Sequence, residues 1–175
     1  MTKKIANTII DLIANPYKDD FFYLDKEQGS HTFDPEKRVL TGDFVYNGAP
    51  YFKNESIILN NTEYFFVFNQ SFYLVIFLFL LEQQHLNYSQ PENIESIMLQ
   101  YNRLGGAVVK EHQIKFLKPI FGTPGIKIPY THTIEKHKKF KDSNIFFTKL
   151  NIGNSEITTK SSLVNRDLHQ VHNVK

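Results

Sequence analysis

The stretch that decides the fold is 60–84, which reads NNTEYFFVFNQSFYLVIFLFLLEQQ. Within it, residues 64–81 are apolar except for one triplet, Asn-Gln-Ser at 69–71. A membrane-spanning helix needs about 20 mostly apolar residues, whereas the longest unbroken apolar part here, 72–81, has ten. A helix that is apolar on all sides but too short to span a bilayer is typical of the centre of a globular domain. We therefore predict a buried helix rather than a membrane anchor.

The start of this helix carries an N-cap signature. An asparagine side chain can accept a hydrogen bond from an unpaired helix N–H group, and a glutamate three residues later can reach back to the cap. Asn60 and Glu63 have this spacing. The helix is therefore predicted to begin near Asn61 and to run to about Gln84.

The composition limits the class of protein. A chain of 175 residues with 41% hydrophobic residues is long enough for one domain with a sizeable core. The net charge of +2 gives no indication of a nucleic acid or a membrane as partner. The absence of cysteine excludes disulfides, thiolate metal sites and cysteine nucleophiles. The N-terminal residues read as an amphipathic helix without the apolar core of a signal peptide, so we expect a cytoplasmic protein.

Outside the long helix, the sequence predicts two short segments, at least one of them helical, and six strands. A helix is predicted at 3–14, and a helix or an extended segment at 94–101. Strands rich in β-branched and aromatic residues and bounded by turn residues are predicted at 21–24, 38–46, 106–116, 125–136, 144–152 and 156–163. Because their turns are short, the last four are predicted to form an antiparallel meander. The domain is predicted to span 1–164, and 165–175 to be a mobile tail.

The order of these elements favours an α+β fold. An antiparallel sheet wrapped around one apolar helix is the arrangement of the hot-dog fold, in which the helix is the sausage. Other α+β folds fit the same order. We predict an antiparallel sheet around one long buried helix, with the hot-dog fold as the first choice.

The polar residues inside the apolar helix are the first candidates for a functional site. Burying an amide without partners costs roughly 1–3 kcal/mol, so the presence of Asn69 in an apolar helix has to be explained. Tyr73 follows at i+4 and therefore lies on the same helix face. Two alternatives are open: a hydrogen-bonded pair within the core, or two polar groups that face a ligand.

Two weaker signals lie nearby. The N-terminus of any helix presents free N–H groups and a positive dipole end, which could polarise a thioester carbonyl. Tyr17, Tyr51 and Lys53 lie beside proline-marked turns, and a tyrosine can donate a hydrogen bond while its ring packs against apolar groups.

Familiar catalytic motifs are absent from the sequence. There is no Gly-x-Ser-x-Gly, HExxH, Walker loop or GxGxxG. The seven histidines are scattered, and we predict no metal site.

Several of these residues together resemble the FcoT-like hot-dog proteins, a family that includes the ScoD-type enzymes of isonitrile lipopeptide pathways. The more specific match is Asn60-x-x-Glu63 followed by Phe68-Asn69-Gln70-x-x-Tyr73, where the family has Asn-Ala-Val-Glu and Phe-Asn-Gln-x-x-Tyr. Weaker matches are Pro16-Tyr17, Gly42-Asp43-Phe44, the turn 48–53 and Phe116-Leu117-Lys118-Pro119. The similarity runs from about residue 15 to residue 164.

The resemblance implies an enzyme that acts on fatty acyl thioesters carried on the phosphopantetheine of acyl carrier protein or coenzyme A, without a cofactor of its own. FcoT-like members are described as long-chain acyl-CoA thioesterases. ScoD-like members add glycine to the β-carbon of a (2E)-enoyl group on acyl carrier protein. By this resemblance the catalytic positions are Tyr17, Tyr51, Asn60 and Asn69, and the substrate-binding positions are Lys53, Glu63 and Tyr73. Because hot-dog domains usually pair, it also implies a homodimer or a trimer of dimers.

Glycine addition is the first hypothesis, with Lys53 holding the glycine carboxylate and a base keeping the amine neutral. The chain departs from the family at Ile58, where a histidine is usual, so Glu63 or a tyrosine would have to carry the proton. Hydrolysis of an acyl-CoA or acyl carrier protein thioester is the alternative. A non-catalytic acyl-binding protein is the second alternative.

Overall fold

The elements of the fold follow the predicted order. The computed structural model describes residues 1–14, 22–46, 61–88, 90–101, 107–116, 123–153 and 155–164. In these residues the helices are α1 (Asn7–Ala14), α2 (Asn61–Gln83) and α3 (Pro91–Gln100). The strands are β1 (Lys3–Lys4), β2 (Phe22–Leu24), β3 (Thr32–Asp34), β4 (Val39–Tyr46), β5 (Ala107–Phe116), β6 (Lys127–Lys139), β7 (Ser143–Ile152) and β8 (Ser155–Val164).

The long apolar helix is buried, as predicted. From Phe68 to Leu81 every side chain of α2 is buried except Asn69 and Tyr73, which are partly exposed. Burying one large apolar side chain contributes about 1.5–3 kcal/mol, and α2 supplies more buried apolar side chains than any other described element. In the part of the chain that is described, no helix has both the length and the apolar character needed to cross a membrane.

The described strands form one eight-stranded antiparallel sheet. The order is β1-β3-β4-β6-β7-β8-β5, with β2 also paired to β4. The sheet packs against α2 mainly through β2, β4 and β6. This confirms an α+β class with an antiparallel sheet around one long buried helix.

The predicted four-strand meander is wrong in its first member. β6, β7 and β8 are consecutive neighbours, but β5 pairs with the far side of β8 and lies at the sheet edge. Turns of two or three residues force neighbouring strands to pair, and β6–β7 and β7–β8 are joined this way. Residues 117–126 connect β5 to β6, and a connection of this length imposes no pairing.

Smaller differences lie in the first third of the chain. The predicted helix 3–14 is shorter, since Lys3–Lys4 pairs with β3 instead. Strand β3 lies between the predicted strands 21–24 and 38–46, where no strand is predicted, because a three-residue strand is too short to show an alternating pattern. The segment 94–101 takes the helical alternative, and Pro91 begins α3, where its missing N–H has no helical partner to lose.

The absence of a side chain at Gly42 leaves room for the buried ring of His31. The ring of His31 passes over Gly42 of β4, and a Cβ at position 42 would overlap its Nδ1 and lie 2.7 Å from its Cε1. Nε2 of His31 donates to the backbone oxygen of Asp25 at 2.8 Å, so Nδ1 accepts from the hydroxyl of Tyr130 at 2.9 Å. Burial lowers the pKa of His31 and raises that of Tyr130, so both remain neutral near pH 7.

Candidate functional site

The accessible side of α2 is marked by Asn69 and Tyr73. These are the two partly exposed residues in an otherwise buried segment from Phe68 to Leu81. One helical turn separates them, so they form a continuous polar strip on one face. A molecule that approaches this part of the helix from outside therefore meets an amide and a phenol first.

Of the two alternatives for Asn69 and Tyr73, the hydrogen-bonded pair within the core is not seen among the described residues. In the described part of the chain no hydrogen bond joins these two side chains. The ring of Tyr73 instead makes an edge contact with Phe72, with ring centroids 5.9 Å apart and an interplanar angle of 60°. This geometry fits the alternative in which both polar groups face a ligand.

The two residues that follow Asn69 point away from the polar strip and form hydrogen bonds with strands of the sheet. Oε1 of Gln70 accepts the backbone N–H of Leu24 at 3.2 Å, which ties α2 to strand β2. Oγ of Ser71 donates to the backbone oxygen of Phe68 at 3.2 Å and lies 2.7 Å from Nδ1 of His132 on β6. Both side chains are fully buried. They explain two of the three interruptions of the apolar run as structural contacts.

His132 is the most strongly perturbed titratable group in this region. It is fully buried on the inner face of β6, and burial lowers its pKa from 6.5 to about 3. The rings of Phe68 and Phe72 lie 5.6 Å and 6.4 Å from its ring. Among the described residues its Nε2 has no hydrogen-bond partner. Because its ring is fully buried and lies against Phe68 and Phe72, we interpret His132 as a core residue and not as a counterpart of the histidine that FcoT-like proteins carry near the helix start.

The helix N-terminus lies apart from the Asn69–Tyr73 strip. α2 begins at Asn61, and eight residues at 1.5 Å each place Asn69 about 12 Å further along the axis. One carbonyl oxygen therefore cannot receive hydrogen bonds both from the free N–H groups of the first turn and from the Asn69 amide. The helix start and the Asn69–Tyr73 strip are therefore two separate positions along α2.

Most of the other predicted site residues lie outside the described residues. This holds for Tyr17, Tyr51, Lys53 and Asn60. Glu63 lies in the first turn of α2, as the capping signature predicts, but its side chain is not described. Their proposed roles remain predictions. The structure describes two of the seven predicted side chains, Asn69 and Tyr73, and brings these two together.

No histidine is predicted from the sequence to be buried. His132 was one of several scattered histidines, yet it alternates with Tyr130 and Ile134 along β6, all three facing the core. That alternation is the signal that could have located it. In the described ranges no group of three or more His, Asp or Glu side chains is arranged to hold a metal ion.

Comparison with known proteins identifies the fold. No family model matches the sequence, and no curated protein is significantly similar to it. Among solved structures, a candidate thioesterase from Syntrophus aciditrophicus matches with a TM-score of 0.51 and 12% identity, over 90% of this chain and 94% of that chain. A hypothetical thioesterase from Streptococcus pneumoniae, solved with coenzyme A, has a TM-score of 0.41 and 12% identity, over 93% and 100%. The Escherichia coli PaaI protein from the phenylacetic acid degradation operon has a TM-score of 0.41 and 11% identity, over 92% and 96%.

The first of these matches covers nearly the whole of both chains, and with the sheet order it confirms the hot-dog fold. At 12% identity it shows the fold alone. The choice of the hot-dog fold among other α+β folds was therefore correct.

Proposed function

We propose that this protein is an enzyme of fatty acyl thioesters, with the reacting carbonyl bound beside Asn69 and Tyr73. The observation that carries the proposal is the polar strip itself: an amide and a phenol, one turn apart, are the two partly exposed side chains in a helix segment, Phe68–Leu81, that is otherwise buried. An acyl thioester has the matching character, a polar carbonyl joined to a long apolar chain.

In this proposal Asn69 is the carbonyl-binding residue. Its amide N–H donates to the thioester oxygen and strengthens that bond as negative charge develops there, which is how an oxyanion hole accelerates acyl chemistry. The Tyr73 hydroxyl is a second donor of the same kind. The phenylalanines next to them, Phe68 and Phe72, stack on each other at 5.2 Å and form the buried apolar layer beneath the strip.

Glycine addition is the first of two reactions that fit this arrangement. The glycine amine forms a C–N bond to the β-carbon of a (2E)-enoyl thioester, and the π electrons of the C=C bond move toward the carbonyl oxygen held by Asn69. The nitrogen then gives up one proton to a base, the α-carbon takes up one proton, and the carbonyl re-forms. The resemblance of Phe68-Asn69-Gln70-x-x-Tyr73 to the glycine-adding enzymes supports it. Lys53 as the partner of the glycine carboxylate, and Tyr17, Tyr51, Asn60 and Glu63 as further site groups, belong to the same proposal.

Thioester hydrolysis is the second candidate. Water loses a proton to a base as it attacks the carbonyl carbon, the same donors stabilise the tetrahedral oxyanion, and the C–S bond breaks to release the thiolate, which takes up the proton. The fold neighbour from Syntrophus aciditrophicus, a candidate thioesterase, favours this reaction. Coenzyme A and acyl carrier protein are both proposed carriers, and a cytoplasmic homodimer or larger assembly is the proposed form of the enzyme.

One experiment separates the candidates. Saturated and (2E)-enoyl thioesters on acyl carrier protein and on coenzyme A are incubated with the protein, with and without glycine, and intact masses are recorded. A gain of one glycine on the enoyl form alone supports addition, and loss of the acyl group without glycine supports hydrolysis. Acyl binding with no covalent change on any substrate would refute both and leave the non-catalytic alternative.

The site assignment is tested with paired variants. Asn69→Ala and Tyr73→Phe remove the two donors. Asn93→Ala and Tyr23→Phe make the same changes at partly buried positions on α3 and β2. We expect the first pair to lose activity and the second pair to retain it. Equal activity of all four would show that the reaction takes place elsewhere.

A further inference from the structure

The tip of the β6–β7 hairpin concentrates positive charge around an exposed aromatic ring. Residues 136–141, which we call the basic tip, read KHKKFK. All four lysines are exposed, and Phe140 is 50% exposed. The turn adds one carboxylate, Asp142. A net charge of +2 for the whole chain conceals this local excess.

Within the described part of the chain, no carboxylate lies within ion-pair distance of the lysines of the basic tip, and in this they differ from most other described lysines. The described lysines that do form ion pairs lie elsewhere, at 3, 26, 37, 115, 127, 149 and 160. Lys136 instead lies 6.0 Å from the ring of Phe147. The charge of the tip is therefore available to an external partner.

The base of the tip is held rigidly. Nε2 of His137 donates to Oδ1 of Asn144 at 2.8 Å, and the His137 ring stacks on Phe146 at 4.7 Å and meets Phe79 edge-on at 4.9 Å. Burial lowers the pKa of His137, and the charges of Arg38 and Lys139 lower it further. Arg38 thus lies close enough to add another cation at the base.

The arrangement of the lysines fits a flat partner met end-on. Lys138 pairs with Ile145 and Lys139 with Asn144, so these neighbours project from opposite faces of the hairpin. The N–H of Phe140 donates to the backbone oxygen of Ser143 at 2.8 Å, which closes the turn and leaves the ring at its end. A partner bound to one face of the sheet would meet only half of these charges. A flat anionic layer with an apolar interior would meet the lysines on both faces and could also accept the ring.

We propose that the basic tip docks this protein end-on to an anionic phospholipid surface, with its lysines at the headgroups and Phe140 inserted between them. Basic residues near anionic lipids and an inserted aromatic ring are the two ordinary contributions to reversible membrane binding. The proposal does not depend on the reaction proposed for α2. The tip lies near Phe79, about 15 Å along the helix axis from Asn69, so docking would leave the polar strip accessible.

The test is sedimentation of the full chain with vesicles, one set of phosphatidylcholine and one set with a third of it replaced by phosphatidylserine. We expect binding to the anionic set alone. Raising the salt from about 0.1 M to about 1 M shortens the screening length from roughly 10 Å to 3 Å and should abolish that binding. Equal binding to both sets, or none to either, would overturn the proposal.

Matched variants separate the contributions. Lys138→Gln/Lys139→Gln should weaken binding about 30-fold. Lys4→Gln/Lys110→Gln removes the same charge from exposed lysines elsewhere and should have little effect. Phe140→Ser should weaken binding at least about tenfold. If Phe140→Ser binds as the wild type does and soluble polyglutamate displaces the protein fully, the partner is an acidic protein and the lipid proposal is wrong. Thermal unfolding of each variant confirms that the hairpin still folds.

Discussion

Acid should destabilise this protein through His132 well before its carboxylates protonate. Burial lowers the pKa of this side chain from 6.5 to about 3 in the folded state. The unfolded chain therefore binds a proton below about pH 6.5 that the folded chain refuses, and stability falls as the pH falls from 6.5 to 3. A difference of about 3.5 pKa units corresponds to roughly 5 kcal/mol over the whole window, and to about 2 kcal/mol between pH 7 and pH 5.

The contribution of His132 can be isolated by substitution. His132→Asn keeps an amide near the position of Nδ1, within reach of Ser71, but does not titrate. We expect it to be less stable at pH 7, because it leaves unfilled space in the core. Its free energy of unfolding should nevertheless depend less on pH, by about 2 kcal/mol between pH 7 and pH 5. The assay is urea unfolding followed by circular dichroism at several pH values.

The other buried histidine supplies the control for this reasoning. The pKa of His31 is also lowered by burial, so the wild type should lose more stability than His132 alone explains. The variant should therefore retain part of the acid sensitivity but not all of it. If wild type and His132→Asn lose the same free energy of unfolding between pH 7 and pH 5, His132 titrates freely and its enclosure between Phe68 and Phe72 is wrong.

Three further perturbations test other parts of the structure. Gly42→Ala should lower the free energy of unfolding by about 1–3 kcal/mol, because the new Cβ overlaps the His31 ring. In urea unfolding, the double variant with His31→Ala should lose less stability than the two single variants combined. Additive losses would contradict the contact. Gln70→Leu removes the acceptor of the Leu24 N–H and should lower the free energy of unfolding by about 1–3 kcal/mol. Hydrogen exchange at the Leu24 amide should therefore be faster in the variant, and unchanged exchange would count against the bond. Asn69→Ala should lower turnover of an acyl thioester about 100-fold or more with little change in Tm, because its side chain is partly exposed; a large loss of Tm would instead make Asn69 a structural residue.

Local sequence patterns do not predict which strands pair when they lie far apart in the chain. The buried helix, its start at Asn61 and the last three strands follow from local patterns: apolar runs, a capping signature and short turns. The place of β5 does not, because its pairing with β8 is decided by packing across the sheet rather than by any residue near its own ends. The same limit applies to His31, which lies just before β3 and whose ring packs over Gly42 of β4, eleven positions later in the chain.

The candidate site shows a related limit. Asn69 and Tyr73 were recognised because polar residues are conspicuous in an apolar helix, and the structure places both on its accessible part. His132 was not recognised because a polar residue in a mixed strand is not conspicuous. Its buried Nδ1 is hydrogen-bonded to Ser71, which lies 61 positions earlier in the chain.

The triplet 69–71 explains why this helix is both the core of the fold and the place where chemistry is proposed. Successive residues of an α-helix point about 100° apart, so three consecutive polar side chains cannot share one environment. Gln70 reaches the backbone of β2, Ser71 reaches His132 on β6, and Asn69 is left on the accessible side. The first two contacts fix the rotation of the helix about its axis, since each would break if the helix turned. Fixing that rotation fixes the direction of the Asn69 amide, and a donor held in one direction is what carbonyl polarisation requires. Loss of Gln70 or Ser71 should therefore lower catalysis as well as stability, whereas an apolar substitution deeper in the core should lower stability alone.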